Sequence, residues 1–178
     1  VGGGIRGVED MRAALLAGAD KVSLNSLAVQ SPDILTQGAK AFGSQCVVLG
    51  MDAKRVPVTA AIPSGYEVVI HGGRTPTGRD ALAWAKEAVD RGAGEICLNA
   101  IDTDGVRQGY ELDITGLVAQ AVPVPVIASG GAGAVQHLVD VFRIAHADAA
   151  LVASMVHTMG FTCQSIKDGL RQAGIPVR

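Results

Sequence analysis

Aromatic side chains make up only 3% of this 178-residue sequence, although hydrophobic residues reach 48%. A core without stacked rings has to be built from Val, Ile, Leu and Ala, the mixture found in parallel strands buried on both faces. Long apolar runs are missing as well. No membrane span, signal peptide or low-complexity tract is legible, and the chain reads as soluble and cytoplasmic. Cysteine is scarce: Cys46, Cys97 and Cys163 are odd in number, far apart and set in apolar runs. That pattern argues against a disulfide framework or a zinc site and predicts small core residues in a reducing compartment. Charge of one sign is also lacking, with 15 Lys and Arg against 17 Asp and Glu. They are scattered evenly, which leaves no basic stripe for nucleic acid and no patch for a membrane surface. His71, His137, His146 and His157 show no ligand spacing, so surface or helix roles and no metal are expected. There is no G-x-S-x-G elbow and no Walker A loop, and the "GGAG" at Gly130–Gly133 lacks the acidic partner of a dinucleotide site. No cofactor is expected.

What is present is a regular alternation. Short apolar runs, "KVSLNS", "QCVVLGMDAK", "GEICLNAID", "VPVIASGG" and "AALVASM", read as strands. Between them Val8–Ala17, Pro32–Phe42, Asp80–Arg91, Asp113–Val122 and Val135–Ala145 carry apolar residues at helical spacing. "LAGADKV" and "DRGAGEI" supply glycines at helix ends before the next strand. Such βα order with short connections predicts one α/β domain over residues 1–178 with a parallel sheet, either an open doubly wound fold or a barrel.

An internal repeat favours the barrel. Gly3-Gly4 is followed by Ala19-Asp20 and Ser26, while Gly130-Gly131 is followed by Ala147-Asp148 and Ser154. The offset is 127 residues at the glycines and 128 at the serines. Equivalent strands then lie four apart, half of an eight-stranded ring. A full (β/α)8 barrel needs about 250 residues, and only six strand positions are found. In the second copy "VPVPVIAS" precedes the glycines, whereas only Val1 does so in the first. The expectation is strands three to eight of the ring, with the first two units lying upstream.

Glycines and a following serine at strand ends can offer backbone N–H and hydroxyl donors to a phosphate, or can simply close tight βα turns. Two matched copies point to a ligand with a phosphate at each end. Asp52 closes the strand "CVVLGMDAK" and is the best acid/base candidate, a capping role being the plain alternative. Lys54 falls on the same side of that strand and either holds a phosphate or is solvated. "NAIDTDG" brings Asn99, Asp102, Asp104 and Gly105 to another strand end, any of them a turn residue, with Asp104 and Gly105 where substrate contacts are expected. Val56–Gly78 reads as a β-excursion containing the strand "YEVVI" and a mobile loop, a cover for the site or an ordinary insertion.

Together "VGGGI", "GADKVSLNS", "FGSQCVVLGMDAKRV", "RGAGEICLNAIDTDG" and "PVIASGGAG" with "ADAALVAS" resemble, in order and over nearly the whole chain, the cyclase subunit of imidazole glycerol phosphate synthase. The resemblance implies a (β/α)8 barrel of histidine biosynthesis. Its substrates would be ammonia and a bisphosphorylated formimino-aminoimidazole carboxamide ribonucleotide, and its products imidazole glycerol phosphate and aminoimidazole carboxamide ribotide. It casts Asp52 as one of two catalytic aspartates, Gly4, Asn25 and Ser26 as one phosphate site, and Gly105, Gly131 and Ser154 as the other. Asp104 and Asn99 fall at substrate contacts, Asn99 where Thr is frequent. Lys21 and Glu95 match two of four charged gate residues at the opposite end, and Asp20 and Gln45 match its docking face for a glutaminase subunit. The second catalytic aspartate and the other gate pair belong to strands not found here. A six-strand chain alone is therefore expected to keep little turnover and to associate with itself through its exposed sheet edges. The sibling isomerase of the pathway and an inactive phosphate-binding (βα)6 fragment are the alternatives.

Overall fold

A computed structural model describes all residues, Val1–Arg178. In chain order the elements are α1 (Val8–Leu16), β1 (Val22–Leu24), α2 (Ser26–Gln30), α3 (Asp33–Phe42), β2 (Val47–Arg55), β3 (Tyr66–Ile70), β4 (Thr75–Asp80) and α4 (Ala81–Asp90). There follow β5 (Glu95–Ala100), α5 (Leu112–Ala121), β6 (Val126–Ser129), α6 (Val135–Arg143), β7 (Ala149–Ala150), α7 (Ser154–His157) and α8 (Cys163–Gln172).

β1, β2, β5, β6 and β7 pair in parallel in the order of the chain, and Gly2 adds a sixth position through a bridge to Ser23. The order never reverses, so right-handed crossovers put the connecting helices on one face of the sheet. That is the winding of a barrel wall, and it rules out the doubly wound alternative. The sheet is open: nothing pairs β7 with the Gly2–β1 side.

Alternation along the strands sorts the two faces. Val22, Leu24, Val47, Leu49, Met51, Ile96, Leu98 and Val126 join Trp84, Ile114 and Met11 in the main core between sheet and helices. Each fully buried aliphatic side chain there contributes roughly 1.5–3 kcal/mol. A second cluster packs α6 and α8 with Tyr110, Ala128 and Met155. Helix ends follow local chemistry. Asp80 caps α4 by accepting from the Ala83 N–H at 2.9 Å, and Thr162 and Ser165 form a reciprocal cap on α8. Gly92, at φ 114°, turns α4 into β5 so close to α3 that a side chain would strike Ala39.

Several expectations need correction. The cysteines are not core residues: Cys163 is exposed, and Cys46 and Cys97 are only partly covered. Cys163 opens the amphipathic helix α8 on its solvent side, and Cys97 faces away from the helices. The "AALVASM" run gives a strand of just two residues, because the chain turns at Leu151–Ala153 into α7. The excursion carries the expected strand at Tyr66–Ile70, but the residues after it form β4 instead of a loop, so the two make a hairpin. β3 pairs antiparallel with β2 and β4 with β3, despite Pro76. At the irregular step of that ladder, side chains supply the bonds: Thr77 Oγ1 donates to the Val68 carbonyl at 2.6 Å and Glu67 Oε1 accepts from the Gly78 N–H at 2.6 Å.

No helix is long and apolar enough to cross a membrane.

Candidate functional site

The C-terminal ends of the parallel strands gather the polar residues of the face turned away from the helices. Asp52, 9% exposed near the end of β2, sits at the centre. Its carboxylate accepts from the Asn25 amide at 3.0 Å and from the Asn99 amide at 3.2 Å, one donor from the neighbouring strand end on either side. The pairing registers bring these groups level, since Asp52 lies opposite Asn99 and β1 ends one residue before Asn25. Two neutral amide donors fix the rotamer of this carboxylate. The side-chain oxygen of Asn25, Oδ1, is buried without a partner.

Two recesses flank this centre. The first, of about 280 Å³, lies between the Gly2–Gly4 turn and β1 and includes Asn25, Ser26 and Gly50. A side chain at position 50 would meet Ser23 Oγ at 2.9 Å and Asn25 Cβ at 3.4 Å, so glycine there keeps the recess floor open. The second, of about 40 Å³, lies at the ends of β6 and β7 and gathers Asp104, Gly105, Gly131 and Ser154 with Arg107. It is tightly built. Gly131 has φ 112°, and any Cβ on it would overlap the carbonyl of Gly109, whose N–H in turn donates to the Gly131 carbonyl at 2.9 Å. Thr103 Oγ1 ties the β5–α5 loop to the Gly130 carbonyl at 3.1 Å.

The expected residues therefore fall into three groups that the fold assembles: Gly4, Asn25 and Ser26; Asp52 with Asn99; and Asp104, Gly105, Gly131 and Ser154. Lys54 does not join them. It is exposed on β2 beyond Asp52, opposite Glu67 of the hairpin. At the other end of the sheet Lys21 Nζ donates to the Glu95 carboxylate, with Asp20 and Gln45 exposed nearby in the chain. Cys97 lies between these two ends, and burial pushes its thiol up, with the Glu95 and Asp52 carboxylates adding to the effect.

Sequence reasoning allowed the excursion as a cover for the site and missed two contributors, Arg55 and Arg107. The hairpin tip is docked on the first recess, where the His71 N–H donates to Ser26 Oγ at 3.1 Å and Gly73 sits against Ile101. Arg55 fastens the hairpin to the second side. Its N–H donates to Asp102 at 2.7 Å, its guanidinium reaches Glu111 at 3.0 Å and Asp113 at 2.8 Å, and it covers the Tyr66 ring at 4.8 Å. Those carboxylates raise the Arg55 pKa, and burial raises that of the Tyr66 phenol, with Glu111 adding. Arg107 lines the second recess. The "DAKR" and "DTDGVR" runs held Arg55 and Arg107 in plain view, but contacts over such sequence separations follow from the fold and not from local pattern.

Comparison with known proteins matches residues 1–162 to the family described as Histidine biosynthesis protein. "Imidazole glycerol phosphate synthase subunit HisF" of Desulfatibacillum aliphaticivorans is 62% identical over 178 residues, covering 100% of this chain and 68% of that protein. The protein of the same name from Syntrophobacter fumaroxidans is 63% identical, covering 100% of this chain and 69% of the relative. That from Desulforapulum autotrophicum is 60% identical over the same span. Such identity over the full span, on a barrel wall carrying the matched glycine and serine turns, identifies the chain as a member of the HisF family of histidine biosynthesis.

Proposed function

We propose that this protein is the ring-closing lyase of its family, a cytoplasmic enzyme. It takes the bisphosphorylated formimino-aminoimidazole carboxamide ribonucleotide and ammonia to imidazole glycerol phosphate and aminoimidazole carboxamide ribotide. The observation that carries the reading is the setting of Asp52: a carboxylate held between two donors, with a glycine- and serine-lined recess on each side of it along the sheet. A substrate with phosphates at both ends, gripped in both recesses, lies across Asp52, and the carboxylate moves a proton at the centre of the ring that closes.

In this reading Gly4, Asn25 and Ser26 hold one phosphate and Gly105, Gly131 and Ser154 the other, while Asp104 and Asn99 contact the sugar chain between. Ammonia enters from the opposite end past Lys21 and Glu95, delivered by a glutaminase subunit seated near Asp20 and Gln45.

Assaying purified protein with ammonia and the bisphosphorylated substrate tests the function. Release of imidazole glycerol phosphate supports it. Ketose formation from the isomerase substrate, or no binding of either compound, contradicts it.

A further inference from the structure

The two recesses match in backbone plan but not in charge. Residues lining the first carry no charged side chain. The second has two, Asp104 and Arg107. Arg107 is held in an unusual way. Its φ is 64°, a left-handed backbone that a side chain adopts only when its surroundings enforce it. Its carbonyl lies where any Cβ on Gly133 would have to be, so the loop is clamped against the turn after β6. The guanidinium then reaches across to the opposite wall. One N–H donates to Thr158 Oγ1 at 3.1 Å, and that hydroxyl donates at 3.0 Å to the carbonyl of Ser154.

None of the eight ion pairs of the molecule includes Arg107. Of the five donors of a guanidinium, the structure engages one. An anchored cation with free donors, on the rim of a small polar recess, is suited to a phosphate oxygen pair. Asp104 makes the charge matter more. Without Arg107 the recess would present a lone carboxylate to the anion and repel it.

We propose that Arg107 is the specificity determinant of the second recess, giving one phosphate a charge-assisted hold that the first recess lacks and so fixing which end of a two-phosphate substrate lies there. The inference rests on the reading of both recesses as phosphate sites. It predicts that the two sites respond differently to salt: the second weakens as ionic strength rises, and the first, built from neutral donors, changes little.

The test is a titration of the whole chain with glycerol 3-phosphate, followed through the backbone amide resonances of Gly4 and Ser26 for one recess and of Gly131 and Ser154 for the other. Arg107→Gln is expected to weaken the second recess about 10-fold, the worth of one hydrogen bond between charged groups, and to invert its salt dependence, because salt then screens the repulsion by Asp104, with the first unchanged. Arg107→Lys restores part of the affinity and the salt dependence. Arg107→Gly, which accepts the left-handed backbone without strain, has to behave as Arg107→Gln does and stands in for it if that variant folds poorly. Equal weakening at both recesses, or none at the second in a wild type that binds at both, overturns the role of Arg107 alone. Absence of shifts at either recess in the wild type overturns the phosphate reading itself.

Discussion

The two recesses are the same device built twice, a glycine pair at one strand end and a serine after the next, yet they differ in how much freedom their parts have. Gly4, at φ 74°, has open space around it, whereas Gly131 is packed against the main chain of Gly109. The first recess is roomy, uncharged and covered by a hairpin tip; the second is narrow, charged and locked by the β5–α5 loop. The difference teaches that a sequence repeat conserves the backbone turn while the surrounding loops decide what each copy can hold. Asp52 belongs to neither copy and sits where both can serve it.

The largest effect is expected where the two sides meet. Asp52→Asn keeps the size of the side chain and removes the proposed proton carrier, and should lower ammonia-dependent turnover at least about 100-fold, the usual range for a lost acid/base group, with substrate affinity little changed. Binding lost in parallel with turnover would make Asp52 a structural residue. Next comes the contrast between the glycines. Gly131→Ala forces a main-chain overlap and should cost on the order of 3 kcal/mol or more of stability by thermal unfolding. Gly4→Ala should cost only the left-handed strain, about 1–2 kcal/mol. Equal costs would mean the recesses are packed alike.

The asparagines separate the halves more finely. Asn25→Ala removes a donor from Asp52 and a wall of the first recess together, so both KM and kcat should suffer, whereas Asn99→Ala should act mainly on kcat, each by about 10-fold for one hydrogen bond to a charged group. The smallest effect lies outside the site, at the root of the hairpin. Asp80 is pushed up by burial, but hydrogen bonds from Ser64, Ala83 and Leu82 outweigh this and hold it below the usual carboxylate range. Its stabilising contribution is therefore full above the unfolded value near 4 and fades as pH falls through the lower folded value. Asp80→Asn should remove that acid limb and about 1 kcal/mol of stability, seen in urea unfolding at neutral and acid pH. An unchanged acid limb would assign it to other carboxylates.

Much of this was legible in the chain. Five of the six long helices fell within two residues of their periodic segments, because each presents an apolar stripe to one sheet face. The repeat located both recesses, since glycine turns and serines are local and leave a fixed spacing. β4 was hidden by Pro76 and Gly78, whose lost or weakened pairing is made up by the side chains of Thr77 and Glu67, a compensation no period reveals. α2 and α7 are too short to show a period at all, and α8 is amphipathic but mostly solvated. The cysteine expectation failed because an apolar run in a barrel wall alternates between the packed face and the face turned to the site, and Cys97 took the second.

A structure of the protein with the bisphosphorylated substrate bound tests the central claim most directly. One phosphate should rest against Gly4 and Ser26, the other against Gly131 and Ser154, and the atoms between should lie within hydrogen-bonding reach of Asp52. A phosphate bound outside both turns, or a substrate lying away from the Asp52 carboxylate, would contradict it.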